Sequence, residues 1–189
     1  MNYIATDIEG VWIVEPRRFD DPRGYFMESF KLEEFRQAIN RPDITFVQDN
    51  ESMSSRGVLR GLHLQLGNSS QAKLVRVSRG TVLDVAVDLR KGSPTFGRHV
   101  AVELSQENAR QLFIPRGFAH GFVVLSDVAQ FQYKVDNVYD PTSEATLRFD
   151  DPAVGIDWRL PASEMLLSPK DLRGFSLAEP VSYTHLRAH

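Results

Sequence analysis

Two ionisable side chains stand inside runs that are otherwise apolar and strand-like: His63 in GVLRGLHLQL and Lys73 in QAKLVRV, with Arg60 just ahead of them. An imidazole titrates close to neutral pH and can take up or release a proton. An ammonium held away from water can stabilise an oxygen on which negative charge develops. Core-facing strand positions normally carry Val, Leu or Ile, so groups of this kind are kept there only with partners. On their own the two also fit the solvent face of an antiparallel sheet. A second histidine, His120, follows in RQLFIPRGFAHGFVVL, where a strand, a proline turn and a glycine precede the next strand.

The elements that must position these groups read mainly as strands. Residues 4–16, with Val11, Trp12 and Ile13, predict an opening strand, closed by a turn over Asp20, Asp21, Pro22, Arg23 and Gly24. YFMESF is an extended piece carrying Glu28. Leu32, Phe35, Ala38 and Ile39 recur at helical spacing and predict one short amphipathic helix over 31–39, broken before Pro42. Strands are then expected at 46–50, 58–65, 73–78, 99–104, 111–114, 121–125, 129–135 and 145–149, separated by short turns, which is the pattern of a sandwich or barrel. A further strand has Leu83, Val85, Val87 and Leu89 on one parity and Asp84 and Asp88 on the other. The proline-rich last forty or so residues predict loops and helical turns.

The chain has 189 residues, enough for one sizeable domain, and an even composition, so residues 1–179 are expected to form a single unit and 180–189 a tail outside it. A formal net charge of −3, from 22 basic and 25 acidic residues, creates no overall pull toward nucleic acid or an anionic membrane. With no cysteine, disulfides and thiolate chemistry are excluded, and any metal would have to use His and carboxylates. No leader-like or membrane-length apolar run is visible, so a cytosolic protein is expected.

The stretch around His120 resembles the second half of the motif of cupins, double-sheet jelly rolls whose histidines point into the barrel mouth. The first half in metal-binding cupins supplies two histidines and a glutamate, whereas GLHLQ holds only His63, a poor metal site. From about Ile4 to Gly174 the chain resembles the dTDP-4-dehydrorhamnose 3,5-epimerases, a metal-free family of the cupin superfamily. The resemblance rests on DPRGYFMESF, FVQDNESMSSRGVLRGLHLQ, KLVRVSRGTVLDVAVDLRKGSPTFG, LFIPRGFAHGFVVL, YKVDNVYDPTSE, and DDPAVGIDW with LLSPKD. It departs from the family at Ala145 and Thr146, where a basic residue or glycine is usual, and at 67–70, a loop often richer in proline.

The resemblance implies a mainly β cupin-type jelly roll and epimerisation at C3 and C5 of a nucleotide-linked 4-keto-6-deoxyhexose, with no cofactor. Both hydrogens lie alpha to the ketone, so each step needs a base, a donor for the enolate oxygen, and an acid on the opposite face. By the same resemblance His63 is the base, Lys73 meets the oxyanion, Tyr133 is the acid and Asp171 holds the second nitrogen of His63, with Asp84 a competitor for that last role. Arg23, Glu28, Gln48, Asn50, Arg60, His120, Glu144 and Lys170 match substrate-binding positions. Tyr139 matches an aromatic that stacks on the thymine. The family is homodimeric and its N-terminal segment can reach the neighbouring site, so Arg23 and Glu28 are candidates to act across subunits. The competing readings are a single-centre epimerase of a related dTDP-sugar, a metal-dependent cupin using His63 and His120, and a noncatalytic sugar-nucleotide binder on the same scaffold.

Overall fold

The computed structural model describes residues 1–178, and the expected tail over 180–189 lies outside them. Two antiparallel sheets face each other. The larger runs β1 (Asn2–Ala5), β2 (Trp12–Glu15), β10 (Gln111–Ile114), β7 (Lys73–Arg79), β12 (Val128–Val135), β5 (Gln48–Ser55) in spatial order. The smaller runs β13 (Glu144–Thr146), β6 (Leu59–Gln65), β11 (Phe118–Val124), β8 (Thr81–Asp88), β9 (His99–Ser105). A separate hairpin of β3 (Arg18–Asp21) and β4 (Gly24–Met27) stands off the sandwich with Phe19, Tyr25 and Phe26 exposed. This is the expected jelly roll, with the short helix α1 (Leu32–Ala38) near the start and helical turns at Ala162–Glu164 and Asp171–Arg173 near the end.

Three apolar layers follow from period-two alternation along the strands. Val75, Val77, Val82, Ala86, Leu104, Phe122 and Phe131 meet between the sheets, where Phe122 and Phe131 stack with centroids 4.1 Å apart. Outside the larger sheet, Phe35 of α1 covers Leu74 and Phe113 and meets the Phe113 ring edge-on at 5.2 Å. Outside the smaller sheet, Leu62, Leu83, Val85 and Val123 are sealed by Leu147, Val154 and Trp158 of the C-terminal wrap.

Several expectations are corrected in detail. The opening strand is two: β1 and β2 pair antiparallel, with the chain turning at 6–11, where Ile8 and Val11 are buried. The polar ESMSS continues β5 to Ser55, because this is a sheet edge whose outward residues meet solvent. The expected division of β8 into two parities is present, and the aspartate parity is the inward one. Asp84 shares it with Val82 and Ala86, while Leu83, Val85 and Val87 face the C-terminal wrap.

The pairing of β6 with β11 shifts register between Arg60↔Phe122 and His63↔His120, so three steps on β6 oppose two on β11. That extra residue lets Arg60 and His63, an odd number of positions apart, both turn inward while Leu59 and Leu62 pack outward. Gly61 sits at the shift with φ of 131°, and a Cβ there would lie 2.6 Å from Gly121 Cα and 2.8 Å from the His120 carbonyl oxygen. Gly61→Ala is therefore expected to destabilise the chain by more than about 1 kcal/mol, read from the urea midpoint. An unchanged midpoint would mean that β6 tolerates a side chain at this crossing.

Candidate active site

His63 and Lys73 come from opposite sheets and line the same cleft of about 320 Å³ at one end of the sandwich. Lys73 opens β7 and shares its inward parity with Val75 and Val77. Tyr133 lines the cleft from β12, with Gln48 and Asn50 from β5, Glu144 from β13 and Tyr139 from the preceding loop. Arg60, Lys170 and Asp171 line an adjoining hollow whose shared wall is the His63 ring.

Asp171, not Asp84, partners His63. His63 Nε2 and Asp171 Oδ1 are 2.5 Å apart, and the Asp171 carboxylate is buried. The contact joins residues far apart in the chain, and two parallel bridges hold it in place: Leu166 against Val58 before Asp171, and Phe175 against Leu147 after it. Ser168 Oγ donates to Asp171 Oδ2 at 2.9 Å and accepts the Asp171 N–H at 3.2 Å. With Nε2–H donated to the carboxylate, Nδ1 is left as the basic nitrogen of the ring. Burial lowers the His63 pKa; Asp171 opposes this, and the Lys170 and Lys73 charges add to it.

Lys73 is half-buried by area but closely enclosed, and loss of hydration brings its pKa down to about 8 against the opposing pull of Asp84 and Glu144. Among the described residues its ammonium has no hydrogen-bond partner, so its donors remain available to a ligand. Burial raises the Tyr133 hydroxyl pKa, which keeps it a proton donor at neutral pH. Burial would raise Glu144, but Lys170 Nζ at 2.5 Å and the Tyr139 hydroxyl at 2.8 Å hold it below the ordinary glutamate value. Gln48 Nε2 donates to Asn50 Oδ1 at 2.9 Å, and Arg60 Nε donates to Ser54 Oγ at 3.0 Å.

His120 lies behind this group on β11, buried, its ring above Phe131 and its Nε2 2.9 and 3.1 Å from the two Asp84 oxygens. Arg23 and Glu28 are not brought in. Arg23 is on the turn of the β3–β4 hairpin, its side chain 90 % exposed and paired with Asp21, and Glu28 is exposed just after β4. Ser168 and the Asp84–His120 pair were not singled out by sequence reasoning in these roles. The Ser–x–x–Asp spacing within LLSPKD and the lone aspartate between valines and leucines on β8 were the available signals. Ala145 and Thr146, which depart from the family pattern, form β13 and pair with Leu64 and His63. Among the described residues, no group of three or more His, Asp or Glu is placed to hold a metal ion. No helix among them is long and apolar enough to cross a membrane.

The family model described as dTDP-4-dehydrorhamnose 3,5-epimerase matches residues 5–179. The dTDP-4-dehydrorhamnose 3,5-epimerase of Escherichia coli is 53% identical over 179 residues, covering 95% of this chain and 96% of that protein. A crystal structure of dTDP-6-deoxy-D-glucose-3,5-epimerase from Legionella pneumophila in complex with dTDP-4-keto-L-rhamnose matches with a TM-score of 0.89 at 48% identity, covering 94% of each chain. A dTDP-4-dehydrorhamnose 3-epimerase of Streptomyces niveus is 42% identical, covering 91% of this chain and 82% of that protein.

Imidazole NMR across pH should place the His63 pKa below 6.5. In Asp171→Asn it should fall further, because the carboxylate is what opposes the burial effect. A rise on substitution would contradict the assigned geometry.

Proposed function

Since the chain belongs to the dTDP-4-dehydrorhamnose 3,5-epimerase family, we propose that it inverts C3 and C5 of dTDP-4-dehydro-6-deoxy-D-glucose, giving dTDP-4-dehydro-L-rhamnose for L-rhamnose biosynthesis. The observation that carries this reading is the placement of His63, backed by buried Asp171, and Lys73 on facing sheets around one cleft that Tyr133 also lines.

In this reading His63 Nδ1 removes the proton alpha to the ketone, and the Asp171 carboxylate stabilises the imidazolium that forms. Lys73 faces the C4 oxygen, where negative charge grows as the C–H bond breaks. In this poorly hydrated cleft its charge stabilises the enolate more than it would in water. Tyr133 then returns a proton to the opposite face, inverting the carbon. Repetition on the other side of the ketone inverts the second centre without any net oxidation. Arg60 and Lys170 border the hollow beside His63, suited to a diphosphate. Tyr139, half-exposed at the rim, is suited to stack on the base.

Arg23 and Glu28, which do not line the cleft of their own chain, are assigned to a partner's cleft in a homodimer. The exposed aromatics of the same hairpin support this, since a monomer gains nothing by leaving them in water. A cytosolic location belongs to the same proposal. Greater identity to the 3,5-epimerase of Escherichia coli, at 53%, than to the 3-epimerase of Streptomyces niveus, at 42%, favours the double reaction.

Incubation with dTDP-4-keto-6-deoxyglucose in heavy water, followed by NMR, should show deuterium at both C3 and C5. Label at one carbon would make this a single-centre epimerase, and label at neither would end the reading. His63→Ala should lose at least about 10²-fold in kcat while largely retaining dTDP affinity by calorimetry, and unchanged turnover would remove His63 from the chemistry. The kcat/KM profile should be bell-shaped. It falls in acid as His63 is protonated below pH 6.5, and falls in base as Lys73 loses its proton near pH 8.

A further inference from the structure

Gln65 lies two residues beyond His63 on β6, on the same inward face, and lines the same cleft. Only 7% of the residue is exposed. The Asp140 N–H donates to Gln65 Oε1 at 2.9 Å, and because a backbone N–H can only donate, the carboxamide orientation is fixed: oxygen toward Asp140, nitrogen turned away. Among the described residues Nε2 has no hydrogen-bond partner. A buried polar group left unpaired is rare in a folded protein and calls for an explanation. We propose that Gln65 is a substrate-binding residue of this cleft, whose Nε2 donates a hydrogen bond to an oxygen of the hexose. The inference deepens the epimerase reading and rests on it for the identity of the sugar nucleotide.

Among the described residues, Gln65 is the one polar side chain lining the cleft that belongs to a residue more than nine-tenths buried. The other amide nitrogens there are differently placed: Gln48 Nε2 is committed to Asn50, and Gln71 Nε2 donates to the Asn137 carbonyl at 2.7 Å. Depth selects the hexose as the partner. Tyr139, suited to the thymine ring, is half-exposed at the rim, whereas Gln65 is buried beside His63. Two strand residues separate Cα atoms by about 7 Å, so a hexose seated with its acidic C–H bonds at His63 brings its other oxygens within reach of the Gln65 side chain. A carboxamide does not titrate in this range, so it orients the ring without moving a proton. Gln65 also braces the loop that carries Tyr139 and Glu144, through Oε1 on Asp140 and the pairing of Gln65 with Glu144. Bracing and sugar contact have different signatures, because the loop serves the nucleotide and the amide nitrogen serves the hexose.

Calorimetry of the full chain with dTDP and with dTDP-glucose, a nucleotide hexose that cannot react because it lacks the ketone, measures what the sugar adds to binding. In Gln65→Met, which keeps the length of the side chain and removes its donor and acceptor, the ratio of dTDP-glucose affinity to dTDP affinity should fall roughly three- to tenfold. Loosening of the 139–144 loop would lower both affinities together and leave that ratio alone. Gln65→Glu keeps an oxygen for the Asp140 N–H but has no donor when ionised, and it is read by the same ratio. An unchanged ratio in either folded variant overturns the proposal and points the amide nitrogen to the neighbouring hollow beside Leu66, Leu89 and Phe96. Absence of deuterium exchange in the unsubstituted protein would instead strike the epimerase reading and leave the affinity ratio standing.

Discussion

The contact between His63 and Asp171 organises the polar end of the molecule. It joins an inward residue of the smaller sheet to a carboxylate delivered by the C-terminal segment. A buried charge is costly unless it is partnered, and an unanchored imidazole would be free to exchange tautomers. Paired, they leave one ring nitrogen basic and aimed away from the carboxylate. The C-terminal wrap is thus a part of the site as well as a cover, since the same chain that seals Leu62 and Leu83 also carries Asp171 and Lys170.

Around that contact the sandwich sorts its ionisable groups by depth. Apolar layers fill the space between the sheets and both outer faces. Lys73 sits where burial weakens its hold on a proton without removing it at neutral pH. His63 sits where burial favours the neutral ring. Both shifts have one cause, loss of hydration of a charged form. The hydrogen-bonded set of Glu144, Tyr139 and Lys170 closes the rim by linking β13 to the C-terminal segment.

Much of this fold was legible from alternation. The apolar spacing of Leu32, Phe35, Ala38 and Ile39 marked α1, and LFIP and FQYKV marked β10 and most of β12. The misread places share a reason: local pattern does not say what covers a face. Ile8 and Val11 look like continued strand but are buried in a turn between β1 and β2, and the polar end of β5 looks like loop but is a sheet edge. On β8, alternation separates Asp84 and Asp88 from the leucines and valines but does not say which set faces inward, which the C-terminal wrap decides.

The sequence alone determined the residue types available for chemistry and, through long family motifs, their membership of one group: an imidazole, an ammonium, a phenol and a set of carboxylates, with no thiol among them. Tertiary structure decided which of these meet. Asp171 rather than Asp84 reaches His63, because two parallel bridges bring the C-terminal segment across β6. Arg60 and His63 share a face only because the strand gains a residue at Gly61, and Arg23 does not line the cleft because it sits on the exposed turn of a separate hairpin. Spacing along a chain limits what neighbours can do together, but contacts between distant segments depend on the packing of whole sheets, which no short stretch encodes.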